Sequence, residues 1–126
     1  MEFSEPKFVS RAGQKLSAAL DRFGVDPKGL ICADLGSNVG GFTDCLLQRG
    51  ATKVFAVETG YGVLDYKLRK DSRVVVMERV NALHVTLPEL MDLVVIDLGW
   101  TPQKHILPHA RELIKAEGRI ISRRNY

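Results

Sequence analysis

Leu30-Ile31-Cys32-Ala33-Asp34-Leu35-Gly36-Ser37-Asn38-Val39-Gly40-Gly41-Phe42-Thr43 is the stretch on which the reading of this chain turns. Four apolar residues run into an acid, a glycine-rich segment follows, and a helical pattern opens at Phe42. A buried parallel strand that breaks into a glycine turn and then starts a helix brings bare backbone amides and a helix N-terminus against a ligand. Asp34 places a carboxylate beside them. The segment reads as a cofactor pocket rather than a plain connection.

The spacing narrows the ligand. Dinucleotide sites use G-x-G-x-x-G so that a pyrophosphate can approach the helix end, whereas this chain reads D-x-G-x-x-x-G-G. A carboxylate two residues before the first glycine repels a pyrophosphate and suits an ammonium, such as that of S-adenosylmethionine. Glu58 ends the next apolar run, Val54-Phe55-Ala56-Val57. An acid about 20 residues beyond the glycine turn, at a second strand end, commonly accepts hydrogen bonds from ribose hydroxyls.

Working outward, period separates strands from helices. Ser10 is placed to cap a leading helix at about 10–23 whose apolar face is Ala12, Leu16, Ala19, Leu20 and Phe23, with Gly24 as its stop. Lys15 lies at the edge of that face. The helix from Phe42 runs to about Arg49, and the basic segment from Gly62 to Lys70 predicts a further short helix. Arg73–Met77 and Asp92–Asp97 are strands, the latter apolar enough to be buried on both faces. Thr101-Pro102 reads as the cap and first residue of a helix that buries Ile106, Ala110, Leu113 and Ile114 and stops at Gly118 before a last strand, Arg119–Ser122. Such alternation predicts an α/β fold with a parallel sheet of order 3-2-1-4-5 and a crevice at the carboxyl ends of strands 1 and 4. Asp34, Gly36, Glu58 and Asp97 all fall on that side.

Composition bounds the rest. With 126 residues, 45% hydrophobic and 26% charged, the chain reads as one folded domain over 1–126, with its core at about 30–122. The net charge of +3 permits an acidic partner such as RNA without requiring one. Cys32 and Cys45 stand in no C-x-x-C pair, and no histidine sits at metal-ligand spacing, so two reduced packing cysteines and no metal site are expected. No segment approaches the roughly 18 apolar residues of a membrane span, which predicts a cytoplasmic protein with no membrane partner.

Four stretches carry a resemblance: Val9-Ser-Arg-Ala-Gly-Gln-Lys-Leu16, Asp34-Leu-Gly-Ser-Asn-Val-Gly-Gly-Phe-Thr-Asp-Cys-Leu-Leu-Gln-Arg-Gly50, Arg73-Val-Val-Val-Met-Glu-Arg-Val-Asn81 and Asp92–Asp97. From about residue 8 to residue 122 the chain resembles the FtsJ-like ribose 2'-O-methyltransferases of RNA, and within them the TlyA, or haemolysin A, type. The resemblance implies a Rossmann-like sheet with S-adenosylmethionine held by Asp34, Gly36, Ser37, Gly40, Gly41 and Phe42, Glu58 at the ribose and Asn81 at the adenine edge. It implies catalysis through Lys15 and Asp97, and ribosomal RNA or a ribosomal subunit as partner, laid over Arg11, Lys67, Arg69, Lys70 and Trp100. A ribose hydroxyl is a poor nucleophile, which is why a lysine is needed beside it to orient it and take its proton.

The chain departs from the family after Ser122. By register Asn125 stands where a second catalytic lysine belongs, and no counterpart of the family's glutamate, or of the last two of its usual seven strands, appears in the sequence. A C-terminally truncated sheet with an exposed last strand is therefore expected, an edge that a second copy would cover to give a homo-oligomer. Arg123 or Arg124 could supply a lysine's charge, but arginine hardly ever releases a proton. The alternatives are a cofactor-binding, non-catalytic remnant or regulatory copy and, least favoured, a membrane-active haemolysin.

Overall fold

The computed structural model describes residues 7–99 and 103–123. In chain order they form α1 (Arg11–Phe23), β1 (Ile31–Leu35), α2 (Gly41–Gln48), β2 (Lys53–Glu58), α3 (Tyr66–Arg69), β3 (Val74–Glu78), β4 (Met91–Ile96), α4 (Gln103–Leu113) and β5 (Ile114–Ser122). The strands pair in parallel in the order β3-β2-β1-β4-β5, as the alternation of periods predicts.

Alternation along the strands sorts the core onto two faces. Cys32, Val54, Ala56, Leu93 and Val95 pack with Leu16 and Leu20 of α1 and with Phe42 and Leu46 of α2. Ala33, Leu35, Phe55, Val57, Val94 and Ile96 face Ile106, Ala110 and Leu113 of α4. Because Asp34 has the parity of Cys32, Glu58 that of Val54, and Asp97 that of Val95, all three acids fall on the α1/α2 face at the carboxyl ends of their strands. Cys32 and Cys45 are buried free thiols in that core, and burial pushes them up to about 12 and about 11. Among the described residues no helix is long and apolar enough to cross a membrane.

Gly24 ends α1 as expected, in the left-handed region at φ +65°, with Gly24 N–H on Asp21 O and Val25 N–H on Leu20 O. Three local expectations fail. Ser10 precedes α1 in extended conformation but makes no side-chain cap bond, because its hydroxyl is pressed against Gly41 at the start of α2. The helix expected from Gly62 shrinks to Tyr66–Arg69. Gly62 sits at φ +71°, and the Asp65 side chain accepts the Lys67 N–H, so the helical turn starts only there.

The last helix ends at Leu113 rather than running to Gly118. Ile114 pairs with Met91 in the sheet, and the register then skips to Leu93 with Arg119, leaving Lys115 to Gly118 as an irregular bulge. A β-branched residue beside an open strand edge gains more from the ladder than from another helical turn. The proposed Thr101-Pro102 cap lies outside the described residues.

Candidate active site at the carboxyl ends of the strands

The turn between β1 and α2 is built on left-handed backbone at Gly36 (φ +84°), Asn38 (φ +53°) and Gly40 (φ +108°). Side chains are excluded at both glycines. A Cβ on Gly36 would lie 2.6 Å from Leu98 Cδ2 and 2.7 Å from Asp97 O, and one on Gly40 would collide with Leu68 and Leu64. The turn is stitched to β2, since Gly36 N–H and Ser37 N–H both donate to Val57 O at 2.9 Å.

Asp34 lies fully buried beneath this turn. Its Oδ2 accepts the Thr43 hydroxyl at 2.8 Å, and among the described residues its Oδ1, like the Ser37 hydroxyl, is buried without a hydrogen-bond partner. Burial pushes the Asp34 carboxyl up to about 7; the hydroxyl and the backbone N–H of Thr43 oppose this, and the charges of Asp97 and Glu58 reinforce it. Three carboxylates thus share one electrostatic neighbourhood. A buried acceptor with no donor calls for one, and the ammonium of an amino-acid-like ligand fits that need.

Glu58 is already engaged. Its Oε1 accepts Asn38 N–H at 2.9 Å and its Oε2 accepts Gly60 N–H at 2.8 Å, so the carboxylate ties the glycine turn to the loop after β2. Oε2 also accepts the Thr59 hydroxyl at 3.4 Å, so it is Oε1 that retains a second lone pair for a hydroxyl. Asn81 is exposed, with Oδ1 on the Leu83 N–H at 2.9 Å.

Lys15 reaches the same face by helix packing. Gly13 and Gly41 let α1 and α2 meet backbone to backbone, with a Cβ on Gly41 only 2.9 Å from Gly13 N. Asp44, buried on α2, accepts Val9 N–H at 2.9 Å and Gln48 Nε2 at 3.1 Å and faces Lys67 Nζ at 3.6 Å. Gln48 Nε2 also donates to Lys7 O at 2.9 Å, so α2 straps down the segment that leads into α1. One turn on, Lys15 lines a hollow of about 140 Å³ with Leu16, Ala19, Phe42 and Arg123. Arg123 Nη1 stands 3.3 Å from Asp97 Oδ2, and its backbone N–H continues the ladder onto Ile96 O. Lys15 and Arg123 therefore line one hollow, and Arg123 ties it to Asp97. A larger one, about 580 Å³, opens at the opposite ends of the strands beside Asp92 and Lys115 and holds none of these groups.

Of the residues expected to meet RNA, Arg11 and Lys70 are exposed, and Lys67 is exposed while leaning on Asp44. Arg69 is committed to Glu78 and to Leu64 O, which makes it part of the scaffold. Trp100 lies outside the described residues. Thr43 and Asp44 escaped the sequence reading. Their signal was position, one turn into a helix that begins at the glycine turn, where a polar side chain must point either at the strand-end acid or at the preceding segment.

A parallel sheet of this order, with a glycine turn after β1 and acids at the ends of β1 and β2, is a Rossmann-like fold, and solved proteins described as methyltransferases share it. The sequence model of the FtsJ-like methyltransferases matches residues 8–124, and the chain belongs to that family. It is 47% identical over 109 residues to a Mycobacterium tuberculosis protein named 16S/23S rRNA (cytidine-2'-O)-methyltransferase TlyA, covering 83% of this chain and 40% of that one. It is 43% identical over 106 residues to a Brachyspira hyodysenteriae protein named hemolysin A, covering 81% of this chain and 44% of that one. A solved Streptococcus thermophilus protein, provisionally described as a hemolysin, superimposes with a TM-score of 0.89 at 34% identity, over 96% of this chain and 46% of that one. The chain spans less than half the length of these relatives.

Proposed function

We propose that this chain forms the cofactor-binding and catalytic region of an S-adenosylmethionine-dependent methyltransferase that acts on ribose 2'-hydroxyls of ribosomal RNA. The observation that carries the reading is the buried, unpartnered Oδ1 of Asp34 under a turn that only glycines can form at Gly36 and Gly40. Asp34 would hold the ammonium of the methionine part, the spare lone pair of Glu58 Oε1 a ribose hydroxyl, and Asn81 the adenine edge. When bound, S-adenosylmethionine supplies an electrophilic methyl on a sulfonium.

The chain's own residues then prepare the acceptor. Lys15 Nζ orients the 2'-oxygen and receives its proton, and Arg123, anchored by Asp97, fixes the hydroxyl's approach without exchanging a proton. The names of the relatives support RNA as substrate. Transfer of labelled methyl from S-adenosylmethionine to ribosomal subunits, followed by mapping of alkali-resistant ribose linkages, tests the proposal. Label in 2'-O-methyl ribose is the expected result.

One feature favours a second reading, binding without turnover: the group beside Asp97 is an arginine, which cannot serve as the base. That reading predicts cofactor binding with no label transferred under any substrate condition.

A further inference from the structure

We propose that the rim beside the glycine turn is a stacking platform for single-stranded RNA, made of two aromatic–cation pairs, Tyr61 with Arg79 and Tyr66 with Lys70; the proposal rests on reading the adjoining crevice as the site of ribose methylation. Tyr61 is 71% exposed and Tyr66 72%, in a chain whose other large apolar side chains are mostly buried. The Arg79 guanidinium carbon lies 4.7 Å from the Tyr61 ring centre, and Lys70 Nζ lies 4.9 Å from that of Tyr66. Each ring is covered on one side by a cation and open to solvent over most of its surface.

The platform is fixed in place. Arg79 is held in left-handed backbone at φ +54°, with its N–H on Gly60 O, an arrangement unfavourable for a non-glycine residue that persists only where the surroundings impose it. Glu78, its neighbour, accepts the Gly62 N–H and pairs with Arg69 of α3, joining the Tyr61 loop to the helix that carries Tyr66. That helix sits on the cofactor turn, with Asp65 N–H on Val39 O at 2.9 Å and Leu68 against Gly40. The two rings therefore share one rigid lip of the crevice.

Charge identifies the partner. Of the acids on the rim, Glu78 pairs with Arg69 and Asp71 with Arg73, and Asp65 is engaged by the Lys67 N–H at the start of α3, whereas among the described residues neither Arg79 nor Lys70 has a carboxylate within ion-pair distance. An exposed ring with an uncompensated cation on it offers a base a face to stack on and its phosphate a counter-charge. Only unpaired nucleotides can present that face, because bases within a duplex are stacked on each other.

The test is fluorescence anisotropy with a labelled single-stranded RNA of about a dozen nucleotides, with the matching duplex in parallel and a calorimetric titration with S-adenosylhomocysteine. Tyr61→Ala and Tyr66→Ala should each weaken single-strand binding by about fivefold or more, while Tyr61→Phe and Tyr66→Phe stay within about twofold. S-adenosylhomocysteine affinity should not change in any of the four, and the duplex should bind more weakly than the single strand. Alanine variants that bind RNA like the wild type, or a duplex bound as tightly as the single strand, would overturn the platform. So would a Tyr61→Ala loss of S-adenosylhomocysteine affinity equal to its loss of RNA affinity, which would assign the ring to the cofactor's adenine. Failure of the platform with S-adenosylhomocysteine still bound leaves the crevice reading standing. A flat titration with tyrosine-dependent RNA binding removes the crevice reading instead.

Discussion

Asp34 concentrates the chemistry of the chain in one side chain, with one oxygen on the Thr43 hydroxyl at 2.8 Å and the other buried and unbonded. Its carboxyl, raised by burial to about 7, is part protonated at neutral pH. An ammonium ligand would favour the charged form, so binding should release a proton and tighten as pH rises from 6 to 8, by about tenfold for a carboxyl titrating near 7. Asp34→Asn should bind more weakly and flatten that profile in a calorimetric pH series. The unliganded protein should show the opposite trend. Between the ordinary value of 3.8 and about 7 the folded state holds more protons than the unfolded one, so the contribution of Asp34 to stability is full in acid and is lost as pH rises through about 7. Thr43→Val removes the 2.8 Å hydroxyl bond to Oδ2, and urea melts should report a loss of roughly 1–3 kcal/mol. Asp34 itself was legible from its place before the glycines. Its bond to Thr43 was not, because the helix phase that aims Thr43 back at the strand depends on where α2 begins.

At the scale of elements, the seat of α1 on α2 decides where Lys15 stands. Gly41→Ala would bring a methyl against the Ser10 hydroxyl and Gly13 N, forcing the helices apart. The expected cost is about 1–3 kcal/mol in a thermal or urea melt, with faster amide hydrogen exchange at the start of α1. The glycines of α1 and α2 look like ordinary small residues in the sequence, and only the packed helices show that both face one contact. The strands were easier to read, since unbroken apolar runs such as Leu93–Ile96 can be satisfied only in a buried sheet. Their order followed from right-handed crossovers. The start of β5 was harder, because it is set by a non-local pairing, Met91 with Ile114, that a window along the sequence does not contain. The same reasoning separates Arg69 from Lys70. Both belong to one basic run, but only the fold reveals that the first is spent on Glu78 while the second lies over the Tyr66 ring with no carboxylate partner among the described residues.

For the whole molecule, the sheet gathers Asp34, Glu58 and Asp97 on one face and sets Lys15 and Arg123 across a small hollow beside them. If that hollow receives the ribose, Lys15→Ala should lower methyl transfer by about a hundredfold or more while leaving S-adenosylhomocysteine affinity within about twofold, since general-base assistance is worth roughly 10²–10⁴. Unchanged transfer would remove Lys15 from the mechanism. Beneath all of this lies the claim that the carboxyl ends of β1 and β2 hold an adenosyl sulfonium compound. Calorimetric titration of the folded chain with S-adenosylhomocysteine near pH 8 tests it most directly. The account predicts saturable one-to-one binding that Asp34→Asn weakens at least about tenfold, the value of a charge-assisted hydrogen bond; a flat trace from well-folded protein, or binding indifferent to Asp34→Asn, would contradict it.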